Sequence, residues 1–325
     1  MAGKAAFNWC FIGAGTLANT VAKTILPSGR HRIAAVYTRR AQKCREFAER
    51  YGAAAYDSAA AAVSAPDVDG VYIVTPHTSH YEYARLALSM GRPVLCEKPI
   101  TVTAPEAAEL FALAAEKGVY LAEAMWTWFS PVAQKVRQWY DGGEFGTLRR
   151  AEARYHLDSR RYAPRCTDPD LAGGALLDVG IYPITYLYRL FGKPAEIRCA
   201  GRLKGGIDLR EEVAMSFPNG LTCTASISMC DFRGLERILL DGSKGRVKYY
   251  FFHNANRVKL VRRRGPNEVF HADGGYLTEF DTAAGEIRGG LTQSLLVPPR
   301  ATTDVMEILD ECRRQMKLVY PFEQA

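Results

Sequence analysis

The chain has 325 residues, of which 48% are hydrophobic and 24% charged, and its formal net charge is +7. This length favours two domains over a single core. The composition is typical of a soluble globular protein, and no apolar run reaches the roughly 18 residues that a membrane-spanning helix needs.

The first 125 residues alternate between strand and helix patterns. The apolar run over 6–13 leads into a Gly-rich turn and is predicted as a strand rather than a secretory signal. Further strands are predicted over 31–38, 68–76, 92–99 and 119–126, and helices over 16–26, 39–52, 79–91 and 103–118. Ser79 with Glu82, and Thr103 with Glu106, have capping-box spacing. Strands joined by single helices of this length predict a parallel, doubly wound sheet.

The pattern changes at about residue 147. Residues 147–158 alternate in side-chain character, and Asn219-Gly220 separates two strand-like runs, which is a hairpin signal. Strands at such close spacing predict a mostly antiparallel sheet. A final amphipathic helix is predicted over 302–317.

The charge pattern narrows the class of ligand, and the cysteine content indicates the cellular compartment. The basic residues form small clusters separated by acidic stretches, without a nucleic-acid motif, and an anionic small ligand explains this basic bias as well as nucleic acid does. Eight cysteines without a C-x-x-C pair predict a reducing compartment, hence the cytoplasm. The six histidines show no metal-ligand spacing, so no metal is expected.

The sequence GAGTLA between the first strand and first helix predicts a dinucleotide site. Gly13 permits the tight turn, Gly15 lets a pyrophosphate approach the backbone, and Ala18 keeps the helix close to the sheet. The helix N-terminus adds amide donors and a positive dipole. The predicted phosphate-side residues are Gly13, Ala14, Gly15, Thr16 and Leu17.

The end of the second strand indicates which nucleotide binds. NAD sites usually place a carboxylate here for the ribose hydroxyls, but this chain has Thr38, Arg39 and Arg40. These side chains suit a 2′-phosphate, so NADP(H) is predicted over NAD(H). The alternative is that the two arginines begin a solvated helix.

A catalytic group is predicted at the end of the fourth strand. Ligands of open α/β sheets bind outside the carboxyl ends of the strands, where Lys98 and, one strand earlier, Thr75-Pro76 lie. A lysine there can hydrogen-bond a substrate hydroxyl and favour its deprotonation.

A second group lies in GGALLDVGIYPITYLYRLFG, residues 173–192. Asp178 and Tyr182 are four residues apart, beside an apolar helical stripe. A neighbouring Lys98 ammonium would lower the tyrosine pKa from its usual value near 10 and make Tyr182 a usable acid/base. The alternative is a structural tyrosine.

The motifs GAGTLA, TPHTSH, CEKP and GGALLDVGIYP, in this order, resemble those of the Gfo/Idh/MocA oxidoreductase family. The chain is most similar to its branch of dihydrodiol dehydrogenases and NADP-dependent D-xylose dehydrogenases. The resemblance extends over essentially the whole chain. With the element pattern it predicts a dinucleotide-binding Rossmann domain over 1–124 and a substrate and dimerisation α+β domain over 125–300 on an open sheet. The amphipathic pattern of the last helix predicts that the segment 301–325 packs back on the first domain.

The resemblance also implies roles for individual residues. Lys98 and Tyr182 would flank the reacting carbon with Asp178 nearby, and the peptide before Pro99 would be cis. Thr75, His80 and Glu97 match family positions that contact the cofactor, and Trp126 matches a cleft position. Pro76 and Lys98, at the same strand ends, are also predicted to contact the cofactor.

The chain departs from the family pattern at two positions. His77 stands where the family usually has Asn. Trp128 stands where close relatives have Arg, and its indole offers a stacking surface that suits a sugar ring or an aromatic glycoside. In the loop 158–170, Arg161 is predicted to reach substrate with Arg160 and Arg165, although a solvated loop is an equal alternative.

Together these features predict an NADP(H)-dependent oxidoreductase that acts on a secondary alcohol or carbonyl of a sugar, polyol or cyclic diol, as a cytoplasmic homodimer or higher oligomer. The alternatives are a non-catalytic, dinucleotide-responsive regulator of the same fold and a reductase of imines or biliverdin-like pigments. The Asp178 and Tyr182 pair favours hydroxyl chemistry.

Overall fold

The computed structural model describes residues 5–161 and 164–324, without the side chains of Arg161 and Pro164. Contacts divide these residues into two compact units. The first comprises the described residues up to Trp126 together with Tyr276–Thr302, and the second comprises Thr127–Gly275 together with the residues from Thr303 onward.

The first unit is built on a parallel sheet of six strands in the order β3-β2-β1-β4-β5-β6. The strands are β1 (Phe7–Ile12), β2 (His31–Tyr37), β3 (Ala54–Ala55), β4 (Gly70–Ile73), β5 (Val94–Glu97) and β6 (Leu121–Ala124). The helices are α1 (Thr16–Ile25), α2 (Ala41–Tyr51), α3 (Ala59–Val63), α4 (His80–Ser89), α5 (Ala104–Lys117) and, much later in the chain, α8 (Tyr276–Arg288). The predicted doubly wound sheet is confirmed. The short edge strand β3 and the helix α3 are additional to the prediction.

Only one of the two predicted capping boxes forms. Thr103 is extended and exchanges hydrogen bonds with Glu106 at the start of α5. Ser79 closes a 3₁₀ turn over His77–Ser79, has ψ −4°, and makes no side-chain cap to α4. The prediction at Ser79 is wrong because an N-cap side chain reaches its amide only from extended backbone.

Aromatic residues fill the core of the first unit. Trp9 and Tyr72 on the sheet are fully buried, and Phe280 of α8 lies edge-on with its ring centroid 4.9 Å from each of theirs. Burial of each such side chain contributes roughly 1.5–3 kcal/mol. Helix α8 therefore completes this core, although it follows β6 by about 150 residues in the chain.

The second unit is built on an eight-stranded sheet in the order β14-β13-β12-β11-β7-β10-β9-β8. Its strands are β7 (Leu148–Asp158), β8 (Glu196–Lys204), β9 (Ile207–Ser216), β10 (Thr222–Ser228), β11 (Cys230–Gly242), β12 (Gly245–Tyr250), β13 (Arg257–Arg262) and β14 (Glu268–His271). All neighbouring pairs are antiparallel except β7 with β10. The mostly antiparallel sheet is confirmed, and β9 and β10 form the hairpin predicted at Asn219-Gly220.

The helices of this unit include α6 (Pro131–Asp141) and α7 (Ile181–Phe191), and α9 (Pro299–Met316) passes from the first unit into the second. A π-helical turn over Leu176–Gly180 leads directly into α7. Pro183 follows in the first turn of α7, where a proline is tolerated although it offers no N–H to the carbonyl of Val179. The regular helix expected over this segment therefore begins with a widened turn.

The two units differ from the domain boundaries expected at residues 124 and 300. Residues 276–302 belong with the dinucleotide-binding sheet, because α8 supplies Phe280 to its core. Most of α9 groups with the second unit instead of the first. Gln315 of this helix bonds the edge of β8, accepting from the amide of Cys199 and donating to the carbonyl of Ile197.

Candidate active site

A cavity of about 400 Å³ lies at the carboxyl ends of β1, β2 and β4. The predicted cofactor residues that line it are Gly13, Ala14, Gly15, Thr38, Arg39, Arg40, Thr75 and Pro76. Gly13 has φ +116°, a conformation that favours glycine, and a Cβ on Gly15 would meet no atom within 4 Å. The turn thus leaves open space where a pyrophosphate would approach the backbone. Thr75 Oγ1 is buried and has no hydrogen-bond partner among the residues that the structure describes, as expected of a side chain that serves a ligand.

The β2 end of this cavity is basic. Arg39, Arg40 and Lys43 line it, and no aspartate or glutamate is among its described lining residues. Tyr37 and Tyr83 also line it, with their rings edge-to-face at 6.2 Å. Sequence reasoning missed these two tyrosines, although Tyr37 directly precedes Thr38.

Two predicted phosphate-side residues lie outside this cavity. Thr16 lines an adjoining cavity of about 320 Å³ with Asn19, Lys43 and Arg50. Leu17 packs against the hydrophobic core of the first unit. Their cofactor contacts stay predictions.

At the end of β5, the side chains are held by internal hydrogen bonds. Glu97 Oε1 accepts from the Tyr72 hydroxyl at 2.6 Å, and its Oε2 accepts from the Lys98 amide at 3.2 Å. Burial, followed by the negative charge of Glu97, raises the pKa of Tyr72 well above its usual range. The Lys98–Pro99 peptide is cis, as predicted. Glu97 thus orients the strand end that carries Lys98, whose side chain is buried.

His80 joins two of the predicted cofactor segments. Its fully buried ring lies 2.8 Å from the Pro99 carbonyl oxygen through Nδ1 and 2.9 Å from the Thr75 carbonyl oxygen through Nε2. Because carbonyl oxygens only accept, both bonds form together only when both ring nitrogens carry protons. His77 is buried beside it, with the two ring centroids 5.8 Å apart.

Glu123 of β6 lies behind the Lys98 segment. Its carboxylate accepts from the Ile100 amide at 3.1 Å and from the Thr302 hydroxyl at 3.2 Å. Burial raises the pKa of Glu123 to about 7. This carboxyl group therefore changes charge near neutral pH.

In the second unit, Asp178 and Tyr182 are both buried, on the π-helical turn and on α7. Arg165 Nη2 lies 3.0 Å from Asp178 Oδ1, and the Cys166 thiol donates to Asp178 Oδ2 at 3.1 Å. The segment 164–167, which was predicted as either substrate-binding or solvated, therefore holds Asp178 in place.

Sequence reasoning also missed the residues that surround Tyr182. The Tyr155 ring lies 5.8 Å from the Tyr182 ring and stacks on His253 at 5.3 Å. Glu236 accepts from the His253 amide at 2.6 Å and contacts its Nδ1. Burial, followed by the charges of Tyr182, Glu236 and Asp178, raises the pKa of Tyr155. The only sequence signal was the strand alternation that turns Tyr155 inward.

The remaining predicted substrate residues are placed as follows. Trp126 packs against Tyr276 with ring centroids 5.1 Å apart, in the first unit. Trp128 lies under the Arg189 guanidinium at 5.4 Å and near Tyr188, so its indole is engaged in packing within the second unit. The side chain of Arg161 lies outside the described residues.

Across the described residues, every helix is too short or too polar to cross a lipid bilayer. Within residues 5–161 and 164–324, no three His, Cys, Asp or Glu side chains cluster so as to hold a metal ion.

Comparison with known proteins identifies the family. The GFO_IDH_MocA oxidoreductase family, described as having an NAD-binding Rossmann fold, matches residues 7–125, and the GFO/IDH/MocA C-terminal domain matches residues 133–248. This chain belongs to the GFO/IDH/MocA family. The resemblance predicted from the motifs is confirmed, and the chain is an NAD(P)-binding enzyme of the dehydrogenase or reductase type.

Two curated relatives of this GFO/IDH/MocA chain match it over nearly its whole length. It is 33% identical to trans-1,2-dihydrobenzene-1,2-diol dehydrogenase of Mus musculus, covering 97% of this chain and 98% of that protein. It is 30% identical to D-xylose 1-dehydrogenase (NADP(+)) of Hypocrea jecorina, covering 96% and 93%.

Solved structures agree with the fold. A 3-ketoreductase from Actinomadura kijaniata, in complex with NADP and TDP-benzene, has a TM-score of 0.85 at 23% identity, covering 96% of this chain and 98% of that one. An aldose-aldose oxidoreductase from Caulobacter crescentus has a TM-score of 0.86 at 20% identity, covering 96% and 98%.

Proposed function

We propose that this enzyme is an NADP(H)-dependent oxidoreductase that interconverts a secondary alcohol and a carbonyl group on a sugar, polyol or cyclic diol. The observation that carries the proposal is the basic, carboxylate-free end of the nucleotide cavity at Thr38, Arg39, Arg40 and Lys43. A 2′-phosphate gains charge-assisted hydrogen bonds there, whereas a site for NAD usually offers the ribose a carboxylate.

The first unit would hold the cofactor. Gly13, Ala14 and Gly15 would contact the pyrophosphate, and Thr75 Oγ1 has a free hydrogen-bonding capacity beside it. When bound, the nicotinamide supplies or accepts the hydride. Lys98 would donate a hydrogen bond to the substrate oxygen and so stabilise the negative charge that grows on it.

The second unit would supply the proton. During oxidation the ionised Tyr182 oxygen would take the proton of the substrate hydroxyl and become the neutral phenol, and during reduction that phenol would return the proton to the carbonyl oxygen. Asp178, held by Arg165 and Cys166, would orient substrate or Tyr182.

The substrate class rests on two kinds of support. The curated relatives are named for a dihydrodiol and for D-xylose, both of which carry neighbouring hydroxyl groups. Around Tyr182, Tyr155 and His253 offer an apolar ring face together with an imidazole, a combination that suits a hydroxylated ring.

We also propose a homodimer that forms through the second sheet. Several large apolar side chains are exposed in its strands or just after β12, namely Leu203, Phe232, Tyr250 and Phe251, of which Phe232 is 80% exposed. Exposed apolar groups of this kind are typical of association surfaces.

The eight cysteines are free thiols, which supports a reducing, cytoplasmic setting.

The first experiment is a fluorescence titration of the purified protein with NADPH and, separately, NADH, followed by turnover of a polyol and aldose panel with the better cofactor. We expect tighter NADPH binding and turnover that Lys98→Met abolishes. Full turnover by Lys98→Met would refute the catalytic assignment. Equal or tighter NADH binding would refute the phosphate site, and tight NADPH binding without any turnover would favour the regulator alternative.

A further inference from the structure

Two buried carboxyl groups in the second unit have no part in the chemistry described above. Asp208 and Glu211 of β9 are 0% and 1% exposed. Asp208 Oδ1 and both oxygens of Glu211 have no hydrogen-bond donor among the described groups. Two unpaired carboxylates side by side in an apolar interior would be strongly unfavourable.

A β-bulge explains how residues three apart come together. Arg202 of β8 pairs with Arg210, and Leu203 pairs with Asp208, so Leu209 is an extra residue in β9. In a regular strand, side chains three apart point to opposite faces. The extra residue shifts this alternation and places Asp208 and Glu211 within hydrogen-bonding reach of each other.

The other side of Asp208 binds the segment that leads to Tyr182. Its Oδ2 accepts from the Leu176 amide at 2.5 Å, at the start of the π-helical turn. Gly174 has φ +129°, and a Cβ there would lie 2.0 Å from Asp208 Oδ1, so backbone and carboxyl group are in close approach. The turn that holds Asp178 thus begins directly on Asp208.

The same segment is fixed from two further directions. The Gly174 amide donates to the Cys166 carbonyl at 2.9 Å, and the Tyr320 hydroxyl donates to the Gly173 carbonyl at 3.0 Å. Cys166 also donates its thiol to Asp178. Asp208 is the anionic anchor of this network, at the end of the helical stretch where the amides and the dipole favour negative charge.

We propose that Asp208 and Glu211 share one proton and act as a positioning pair, which fixes the segment 173–180 and thereby the placement of Asp178 and Tyr182. Asp208 is the acceptor, because backbone amides bond it, and Glu211 is the protonated donor. The functional consequence rests on the proposed role of Tyr182.

The electrostatics agree with one shared proton. Burial raises the pKa of both carboxyl groups, and the negative charge of Asp208 adds to the effect on Glu211. The other titratable groups that face the pair are the thiols of Cys199, Cys230 and Cys312 and the phenol of Tyr320. Arg313 stacks on the Tyr320 ring and pairs with Glu323 and Asp310, so its charge is engaged.

Four variants test the pair: Asp208→Ala, Asp208→Asn, Glu211→Gln and the exposed neighbour Glu212→Gln as control. In Asp208→Ala we expect amide hydrogen exchange over 173–182 to accelerate and kcat to fall about tenfold or more, while the NADPH dissociation constant is unchanged. Asp208→Asn keeps an acceptor for Leu176 and should largely restore protection. Unchanged exchange in Asp208→Ala would refute the anchor.

Glu211→Gln tests the proton directly. An unfolded chain ionises Glu211 above its ordinary pKa while the folded protein keeps the proton, so the wild-type protein loses stability as pH rises. Glutamine keeps a donor for Asp208 but cannot ionise. We expect the melting temperature of Glu211→Gln to exceed that of wild type by an amount that grows from about pH 5 to 9. A difference that is flat with pH, as in Glu212→Gln, would refute the shared proton.

The measurements of amide hydrogen exchange and of melting temperature do not depend on catalytic turnover. If Tyr182→Phe retained full activity, the proposed function would fail while the anchoring result stood. If Asp208→Ala does not fold, Asp208→Asn and Glu211→Gln still decide the proposal.

Discussion

A Cβ atom on Gly13 would lie 2.5 Å from the carbonyl oxygen of Val74. The turn after β1 therefore packs backbone against backbone on the end of β4, and its φ of +116° adds a second reason for glycine. Gly15 has neither constraint within the protein, so the two glycines of one motif serve different purposes.

Alanine at these two positions should separate folding from binding. Gly13→Ala combines a clash with a strained conformation and should lower the free energy of unfolding of the unliganded protein by about 1–3 kcal/mol or more. Gly15→Ala should leave that stability unchanged and weaken NADPH binding, because its Cβ occupies the approach of the pyrophosphate. Denaturant unfolding and fluorescence titration measure the two effects. Normal NADPH affinity in Gly15→Ala would contradict this assignment.

Arg39 should decide between the two dinucleotides. Arg39→Ala removes the proposed charge-assisted hydrogen bond to the 2′-phosphate, so the NADPH dissociation constant should rise about tenfold. Binding of NADH should stay nearly constant. Arg45→Ala, on the exposed surface of α2, is the matched control, and an equal loss for both dinucleotides would exclude a phosphate contact.

Tyr182 should matter for chemistry and not for cofactor binding. Tyr182→Phe removes the proposed proton donor, and kcat should fall about 10²–10⁴-fold at unchanged NADPH affinity. The control is Tyr188→Phe on the same helix, whose hydroxyl donates to Asp304 at 2.8 Å and whose loss should reduce stability but spare kcat. Steady-state kinetics measure kcat for both variants. An equal loss of kcat in Tyr182→Phe and Tyr188→Phe would refute the role of Tyr182 as the proton donor.

Glu123 should make stability depend on pH. Its folded pKa of about 7 lies above the ordinary 4.5, so the wild-type protein should lose stability as pH rises from about 4.5 to 7, by an amount on the order of 3 kcal/mol. Glu123→Gln cannot ionise, and its amide can still accept from Ile100 and donate to the Thr302 hydroxyl. Its free energy of unfolding should therefore exceed that of wild type at pH 8 but not at pH 4.5.

The exposed Glu116→Gln on α5 is the control for Glu123. Parallel pH profiles for wild type and Glu123→Gln would show that this carboxyl group titrates normally in the folded protein.

The parallel sheet was predictable because its signals are local. Each strand and helix of the first 125 residues has its own apolar period, and Thr103 with Glu106 form the box that their spacing indicates. The capping box predicted at Ser79 does not form, because the preceding 3₁₀ turn at the end of β4 fixes the backbone of Ser79 outside the extended conformation that an N-cap needs.

Contacts between distant residues were not predictable from one sequence. Arg165 and Cys166 reach Asp178 across a loop, and Glu236 reaches His253 across a strand and a turn. One signal was present but unused: Glu211 occupies an inward position between Leu209 and Val213, where an apolar residue is expected. The bulge that turns this anomaly into a pair with Asp208 depends on the register with β8, which no local pattern specifies.

The position of α8 in the chain delays completion of the first unit during synthesis. Domains normally fold as they emerge, the N-terminal one first. Here the strands of the second sheet, which end at His271, have all been made before Phe280 can cover Trp9 and Tyr72 or before Glu286 can accept from Tyr120. The core of the dinucleotide-binding unit therefore lacks Phe280 until α8 has been made, and we expect a fragment that stops at Trp126 to be prone to aggregation.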